Sequence, residues 1–173
     1  MPPVRPFIRA EAPADAEAVR EVNRRAFGRD AEGQLVDALR AGGYTRVSRV
    51  AEVDGRVVGH ILFSTLPVET AGGVIETLAL APMAVVPEHQ RRGVGSALVR
   101  DGLAACREAG HGIVVVLGHP EFYPRFGFSA EQAGRLRSPF SGPAFMALAL
   151  TPGALDGVEG EVRYTPPFFE IPD

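Results

Sequence analysis

The segment from Val85 to Leu98 constrains this chain more than any other. It runs from the apolar pair Val85-Val86 through Pro87 into the polar, basic stretch Glu88-His89-Gln90-Arg91-Arg92. Gly93-Val94-Gly95-Ser96 and the apolar Ala97-Leu98 follow. This pattern predicts the end of a buried strand, a sharp turn at Pro87, a loop, and the first turn of a helix. A helix start leaves backbone N–H groups without intrahelical acceptors, and the helix dipole adds partial positive charge there. Gly93 and Gly95 carry no side chain that would hold an anion away from that backbone. The stretch therefore suits a phosphate or pyrophosphate. A glycine-rich turn that only joins strand to helix would read the same way locally.

Spacing separates the known kinds of anion loop. A P-loop needs Gly-Lys, and the chain contains no lysine. A dinucleotide fingerprint needs G-x-G-x-x-G, but Gly93-x-Gly95-x-x ends on Leu98, and the next strand closes on Gly118-His119 rather than an acid. The pattern Gln/Arg-x-x-Gly-x-Gly/Ala is met completely by Gln90-Arg91-Arg92-Gly93-Val94-Gly95. This stretch resembles the coenzyme A pyrophosphate loop of the GNAT superfamily of N-acetyltransferases.

Composition narrows the alternatives. A length of 173 residues fits one domain, 1–173, with a sizeable core. The net charge of −3 argues against a general nucleic-acid binder, and the local basic pair Arg91-Arg92 suits one small anionic ligand better than a polyanion. The single cysteine, Cys106, excludes an intramolecular disulfide and fits a reducing cytoplasm. Met1-Pro2-Pro3-Val4-Arg5 lacks a signal-peptide apolar core, and no apolar run reaches membrane-spanning length. The expectation is a cytoplasmic protein that engages neither membrane nor nucleic acid.

Read in order, Val4 to Ala10 is a short first strand. Asp15 is the expected N-cap of a helix carrying Ala18, Val22 and Ala26, and a second helix runs from Ala31 to Ala41. Ser48–Val53 and Arg56–Leu66 form a hairpin through Asp54-Gly55. Pro67 to Gly73 reads as a turn region. Ile75 to Val86 is a long strand in which Pro82, unable to donate a ladder bond, predicts a bulge or a splayed strand. Gly95 to Ala109 is a helix with Val99, Leu103 and Cys106 on one stripe. Ile113–Leu117, apolar throughout, suits a strand buried on both faces. A short helix is expected over Glu121–Phe126, a last clear strand over Phe145–Leu150, and an extended tail packed on the body. The fold class is α/β (α+β): a mixed sheet, splayed at the cofactor site, with helices on both faces.

The order β-α-α-β-β-β-α-β-α-β is that of the GNAT fold, and flanking motifs support the resemblance. These are Pro82-Met83-Ala84-Val85-Val86-Pro87 upstream and Leu117-Gly118-His119-Pro120-Glu121-Phe122-Tyr123-Pro124-Arg125-Phe126-Gly127-Phe128 downstream. With Phe145-Met146-Ala147-Leu148 and Tyr164, they are similar to the YhbS-type branch, from Ile8 to about Phe168. The resemblance implies an acetyl-CoA-dependent N-acetyltransferase acting on a primary amine of a small molecule or peptide by direct attack in a ternary complex. It assigns Met83, Ala84, Val85 and Val86 to the pantetheine and thioester, and Arg91, Arg92, Gly93, Val94, Gly95 and Ser96 to the pyrophosphate. Acyl transfer develops an oxyanion that fixed donors must stabilise, and a bulged strand would free the backbone groups for it. Tyr123 matches the tyrosine that in many relatives protonates the departing thiolate.

At the position matching Ala79 many relatives carry a glutamate that acts as general base, and this chain departs from them. Glu76 would face the other way by strand alternation. His60, Glu32 and His119 are the possible substitutes, with His119 placed at the end of the Ile113–Leu117 strand. A water chain could also serve. The bland reading of each is an exposed or structural residue. An acyl-CoA sensor without transferase activity is the rival function, and a homodimer through the C-terminal strands is compatible with the sequence. Other chemistries fail on spacing: the four histidines and one cysteine show no metal-ligand pattern, no G-x-S-x-G elbow occurs, and Cys106 lies on a packing stripe.

Overall fold

The computed structural model describes residues 2–140 and 142–170. Its strands are β1 (Phe7–Ala10), β2 (Thr45–Val53), β3 (Arg56–Thr70), β4 (Gly73–Val85), β5 (Ile113–Leu117), β6 (Leu136–Arg137), β7 (Phe145–Ala149) and β8 (Gly160–Val162). Its helices are α1 (Ala16–Phe27), α2 (Ala31–Ala41) and α3 (Val94–Glu108). The strands form one sheet in the order β1-β2-β3-β4-β5-β7, with β8 beside the far end of β3 and β6 beside β8. Among the described residues only β4·β5 and β6·β8 are parallel, so the sheet is mixed, and α3 is the crossover that joins β4 to β5.

Local chemistry accounts for most of these elements. Asp54 and Gly55 both take positive φ, 53° and 75°, as a two-residue hairpin turn between Val53 and Arg56 requires. Strand alternation then sorts β3 between two layers. Leu62 joins Val50 under Val19, Leu35, Val36 and Leu39 of α1 and α2. Ile61 and Phe63 belong to the cluster of Val94, Leu98, Val99, Leu103 and Cys106 from α3. The two helical layers thus lie on opposite faces. β5 has Ile113 to Val116 buried, as its continuous apolar run predicts.

Three local expectations are corrected. Asp15 does not cap α1 through its side chain. Pro13–Asp15 makes its own 3₁₀ turn, and the Asp15 carboxylate reaches back to the Ala12 N–H (2.7 Å) and the Arg9 guanidinium (2.7 and 2.9 Å). Pro67 to Gly73 is not a turn region, because β3 continues through Pro67 to Thr70. The Pro67 carbonyl accepts from the Arg163 N–H (2.8 Å), so its nitrogen faces the β8 edge and the β3·β4 ladder loses no donor. The tail is extended only in part: β8 pairs with Val68 to Thr70, but Pro166–Phe169 forms a 3₁₀ turn.

The bulge falls where Pro82 predicts it. Ile61 pairs with Met83 and Phe63 with Leu80, so Ala81 and Pro82 together oppose Leu62. The Ala81–Pro82 peptide is cis. β5 accompanies β4 only at Leu78, Ala79 and Leu80. Beyond the bulge β4 keeps β3 on one edge and has lost β5 on the other. The sheet opens there.

Candidate active site

A cavity of about 980 Å³ fills that opening. One end is the loop before α3. Gly93 holds φ +88°, a conformation that a side chain would strain, and Arg91 also has positive φ (62°). Ala97 is the first amide to bond back into the helix, to the Gly93 carbonyl at 3.0 Å. The amides of Val94, Gly95 and Ser96 therefore lie ahead of the helical bonding, at the positive end of the dipole. A Cβ on Gly95 would stand 3.5–3.6 Å from the Met83 thioether, so the backbone and Met83 face each other across a narrow gap. The Gln90 side chain donates to the Val85 carbonyl (2.9 Å) and ties the loop to the end of β4.

Of the residues expected to hold the cofactor, Met83, Val85, Arg91, Gly93, Gly95 and Ser96 line the cavity. The side chains of Ala84, Val86 and Val94 are buried in the α3 cluster, which leaves only their backbone for a ligand. Arg92 is also turned aside: its Nε donates to the Pro2 carbonyl and its own carbonyl accepts from the Val4 N–H. The second cation at this end is Arg125, which the sequence reading missed. Its guanidinium bonds the Ser96 hydroxyl (3.2 Å) and lies over the rings of Phe122 (4.7 Å) and Phe126 (5.6 Å). The Pro124-Arg125-Phe126 motif carried the signal, but only the tertiary fold brings it to the loop.

Tyr123 opens the 3₁₀ turn Tyr123–Phe126 and lines the middle of the cavity. The His119 carbonyl accepts from the amides of Phe122 and Tyr123 (3.1 and 3.3 Å), which fixes the turn just after β5. Gly118 lets the ring settle: a Cβ there would meet Tyr123 Cε2 at 2.4 Å. Phe122 and Phe128 flank the ring edge-to-face at 5.0 and 5.7 Å. Burial pushes the Tyr123 hydroxyl up to about 12, so it is a neutral phenol. His119 itself lines the cavity mouth, exposed.

The possible bases separate cleanly. Ala79 lines the cavity and brings no carboxylate to it. Glu76 is opposite Pro67, ahead of the bulge, and its carboxylate faces Arg46 (3.5 Å) and His111 (3.7 Å) outside the cavity. His60 is fully buried elsewhere, in a chain of hydrogen bonds linking α1 to the sheet. Asn23 Nδ2 lies 3.4 Å from its Nδ1, Ser48 Oγ lies 2.9 Å from its Nε2, and Ser48 donates to Glu11 (2.5 Å), which also pairs with Arg40. Since the Ser48 proton goes to Glu11, the His60 Nε2 carries the proton shared with Ser48. Burial pushes the His60 pKa down, so the ring is neutral. Glu32 lines the cavity, and among the described residues it is the one carboxylate there.

This arrangement defines a class of protein: a sheet splayed at a bulge, with a glycine loop at a helix start and a buried phenol along one cavity. The family described as acetyltransferase (GNAT) domain matches residues 8–130, and the chain belongs to it. The chain is 39% identical over 161 residues to the uncharacterized N-acetyltransferase YhbS of Escherichia coli strain K12, covering 91% of this chain and 95% of that protein. The crystal structure of E. coli YhbS in complex with CoA superposes with a TM-score of 0.89 at 37% identity, over 98% of this chain and 94% of that one. A GNAT family acetyltransferase from Brucella melitensis, in complex with acetyl-CoA, gives a TM-score of 0.79 at 38% identity, over 95% and 98% of the two chains.

Proposed function

We propose that this chain transfers the acetyl group of acetyl-CoA to a primary amine of a small molecule or peptide, by direct attack in a ternary complex in the cytoplasm. The observation that carries the reading is one continuous cavity joining the loop Arg91–Ser96, the unpaired edge of β4 and Tyr123. The residues fit the co-substrate. The Val94, Gly95 and Ser96 amides, with the cations Arg91 and Arg125, suit a pyrophosphate, and the open backbone edge from Ala81 to Val85 suits an amide-bearing arm. Acetyl-CoA supplies an activated thioester. The amine lone pair forms the new C–N bond and the C–S bond breaks. An ammonium substrate gives up two protons in all, one ending on the CoA sulfur and one in solvent.

Tyr123 is the donor nearest in kind to the sulfur's need. Burial pushes its hydroxyl up to about 12, so the phenol holds its proton at neutral pH and is in the form that can donate. In this reading Tyr123 is the general acid that donates its phenolic proton to the departing sulfur. Ala79, in place of a carboxylate, is what favours the rival reading of an acyl-CoA sensor. Thiol release over a panel of amines decides between the two. Gly95→Asp sets negative charge against the pyrophosphate while meeting only ordinary contacts at Cβ. It is expected to abolish CoA binding in calorimetry without unfolding the protein. Unchanged affinity in a folded Gly95→Asp variant would remove the assignment.

A further inference from the structure

The part of the cavity wall that comes from the helices α1 and α2 and from the C-terminal segment has a different chemistry from the loop before α3, and it points to the kind of amine accepted. Arg91 and Arg125 stand at the loop end, whereas Glu32 lines the cavity from α2. The same cavity is lined by the apolar and aromatic side chains of Phe27, Leu35, Phe140, Tyr164 and Phe168. Three of these rings run edge-to-face in series, Phe140 to Tyr164 at 5.1 Å and Tyr164 to Phe168 at 5.2 Å. Phe168 also packs against the cluster containing Leu35, so the ring series is braced on α2, one turn from Glu32. Phe27 and Phe140 keep 42% and 37% of their surface exposed although they border a cavity.

The Glu32 side chain is only 12% exposed, and both its oxygens accept from Arg29, Oε1 at 2.9 Å from Nε and Oε2 at 2.5 Å from Nη2. Arg29 Nε also reaches Oε2 at 3.2 Å, and since a carboxylate offers about four acceptor positions, the Arg29 fork leaves roughly one for a substrate ammonium. Fixed by that fork, the carboxylate needs no rearrangement to receive it. The lining thus offers two cations at the loop and, on α2, one carboxylate whose charge is shared with Arg29, a set that matches an anionic donor and a cationic acceptor.

Resting on the acetyltransferase reading above, we propose that the acceptor is a primary amine on an aromatic or apolar body. Glu32 holds its ammonium, and Phe27, Phe140, Tyr164 and Phe168 hold the body. Anionic acceptors meet a carboxylate and are rejected. Compact polar amines leave the aromatic wall uncovered and bind weakly. Glu32 is a binding residue in this scheme, so its loss appears in KM rather than kcat.

The test is acetyl transfer to 2-phenylethylamine, putrescine and glutamate, with CoA affinity measured by calorimetry on the same proteins. Expected are a kcat/KM for 2-phenylethylamine at least tenfold above the other two, and a 10–100-fold higher KM in Glu32→Gln. In that variant kcat, CoA affinity and melting temperature stay near wild type, and Glu32→Asp recovers part of the loss. Phe140→Ala should raise KM for 2-phenylethylamine more than for putrescine. Equal efficiency on glutamate, an unchanged KM in Glu32→Gln, or a fall confined to kcat overturns the proposal while leaving the acetyltransferase reading intact. Failure of the wild-type protein to bind CoA overturns both.

Discussion

Tyr123 shows how one residue's chemistry depends on its seat. A tyrosine among phenylalanines reads as core, and at 6% exposure it is buried. Its ring nevertheless borders the cavity, because Gly118 has no side chain to occupy the place where the ring lies. Tyr123→Phe keeps the ring and its contacts with Phe122 and Phe128, so stability and CoA affinity should barely change. Turnover should fall about 10²–10⁴-fold, the range for loss of a general acid. With the hydroxyl near 12, the rate should rise with pH as the amine deprotonates and then stay level through pH 10. Full activity in the Phe variant, or a wild-type alkaline limb near pH 9 that vanishes in it, would show that Tyr123 plays another part. His119, exposed at the mouth, orients the turn through its backbone carbonyl. His119→Ala should therefore leave measurable turnover, and a loss of ~10³-fold with CoA binding intact would make it the base.

At the scale of elements, the α1–α2 layer is held to the sheet by a buried polar chain as well as by apolar packing. It runs from Asn23 on α1 through His60 on β3 and Ser48 on β2 to Glu11 and Arg40. Burial holds the His60 pKa below its unfolded value of ~6.5. Between the two values the unfolded chain binds a proton that the folded one does not, so stability falls as pH drops below ~6.5. Glu11, desolvated but more strongly held by His60 and Ser48, has its pKa lowered and adds a further loss at more acid pH. Urea unfolding from pH 8 to 5 should show this decline. His60→Gln should cost about 1–3 kcal/mol at pH 7 and flatten the slope above pH 5. A slope equal to wild type would place the acid sensitivity elsewhere. The same α2 that this chain anchors carries Glu32 and Leu35 into the cavity, so the brace and part of the cavity wall share one element.

For the whole molecule, Cys106 is a built-in reporter. It is fully buried beneath α3, and burial pushes its thiol up to about 12. The native protein should resist thiol reagents at pH 8, and labelling should appear at the denaturant concentration where far-UV signal is lost. Coincident midpoints would show that the chain unfolds as one unit; labelling well below that midpoint would show that the α3 layer opens separately.

The sequence by itself determined the parts whose cause is local. The hairpin at Asp54-Gly55, the strand Ile113–Leu117, the bulge at Pro82 and the glycine loop before α3 each follow from backbone preferences or hydrophobic period within a few residues. It also shows alanine, not a carboxylate, at position 79. Which residues share the cavity was decided only by the tertiary structure. Arg125 meets Ser96 across 29 residues of chain, and Arg92, expected at the ligand, is instead taken up by the N-terminal segment. Glu32 and the Phe140, Tyr164 and Phe168 rings converge from separate elements. Periodicity assigns a residue to one face of its own element, but it carries no information on which distant element will cover that face. That choice is made by sheet order and by the opening of β4 from β5.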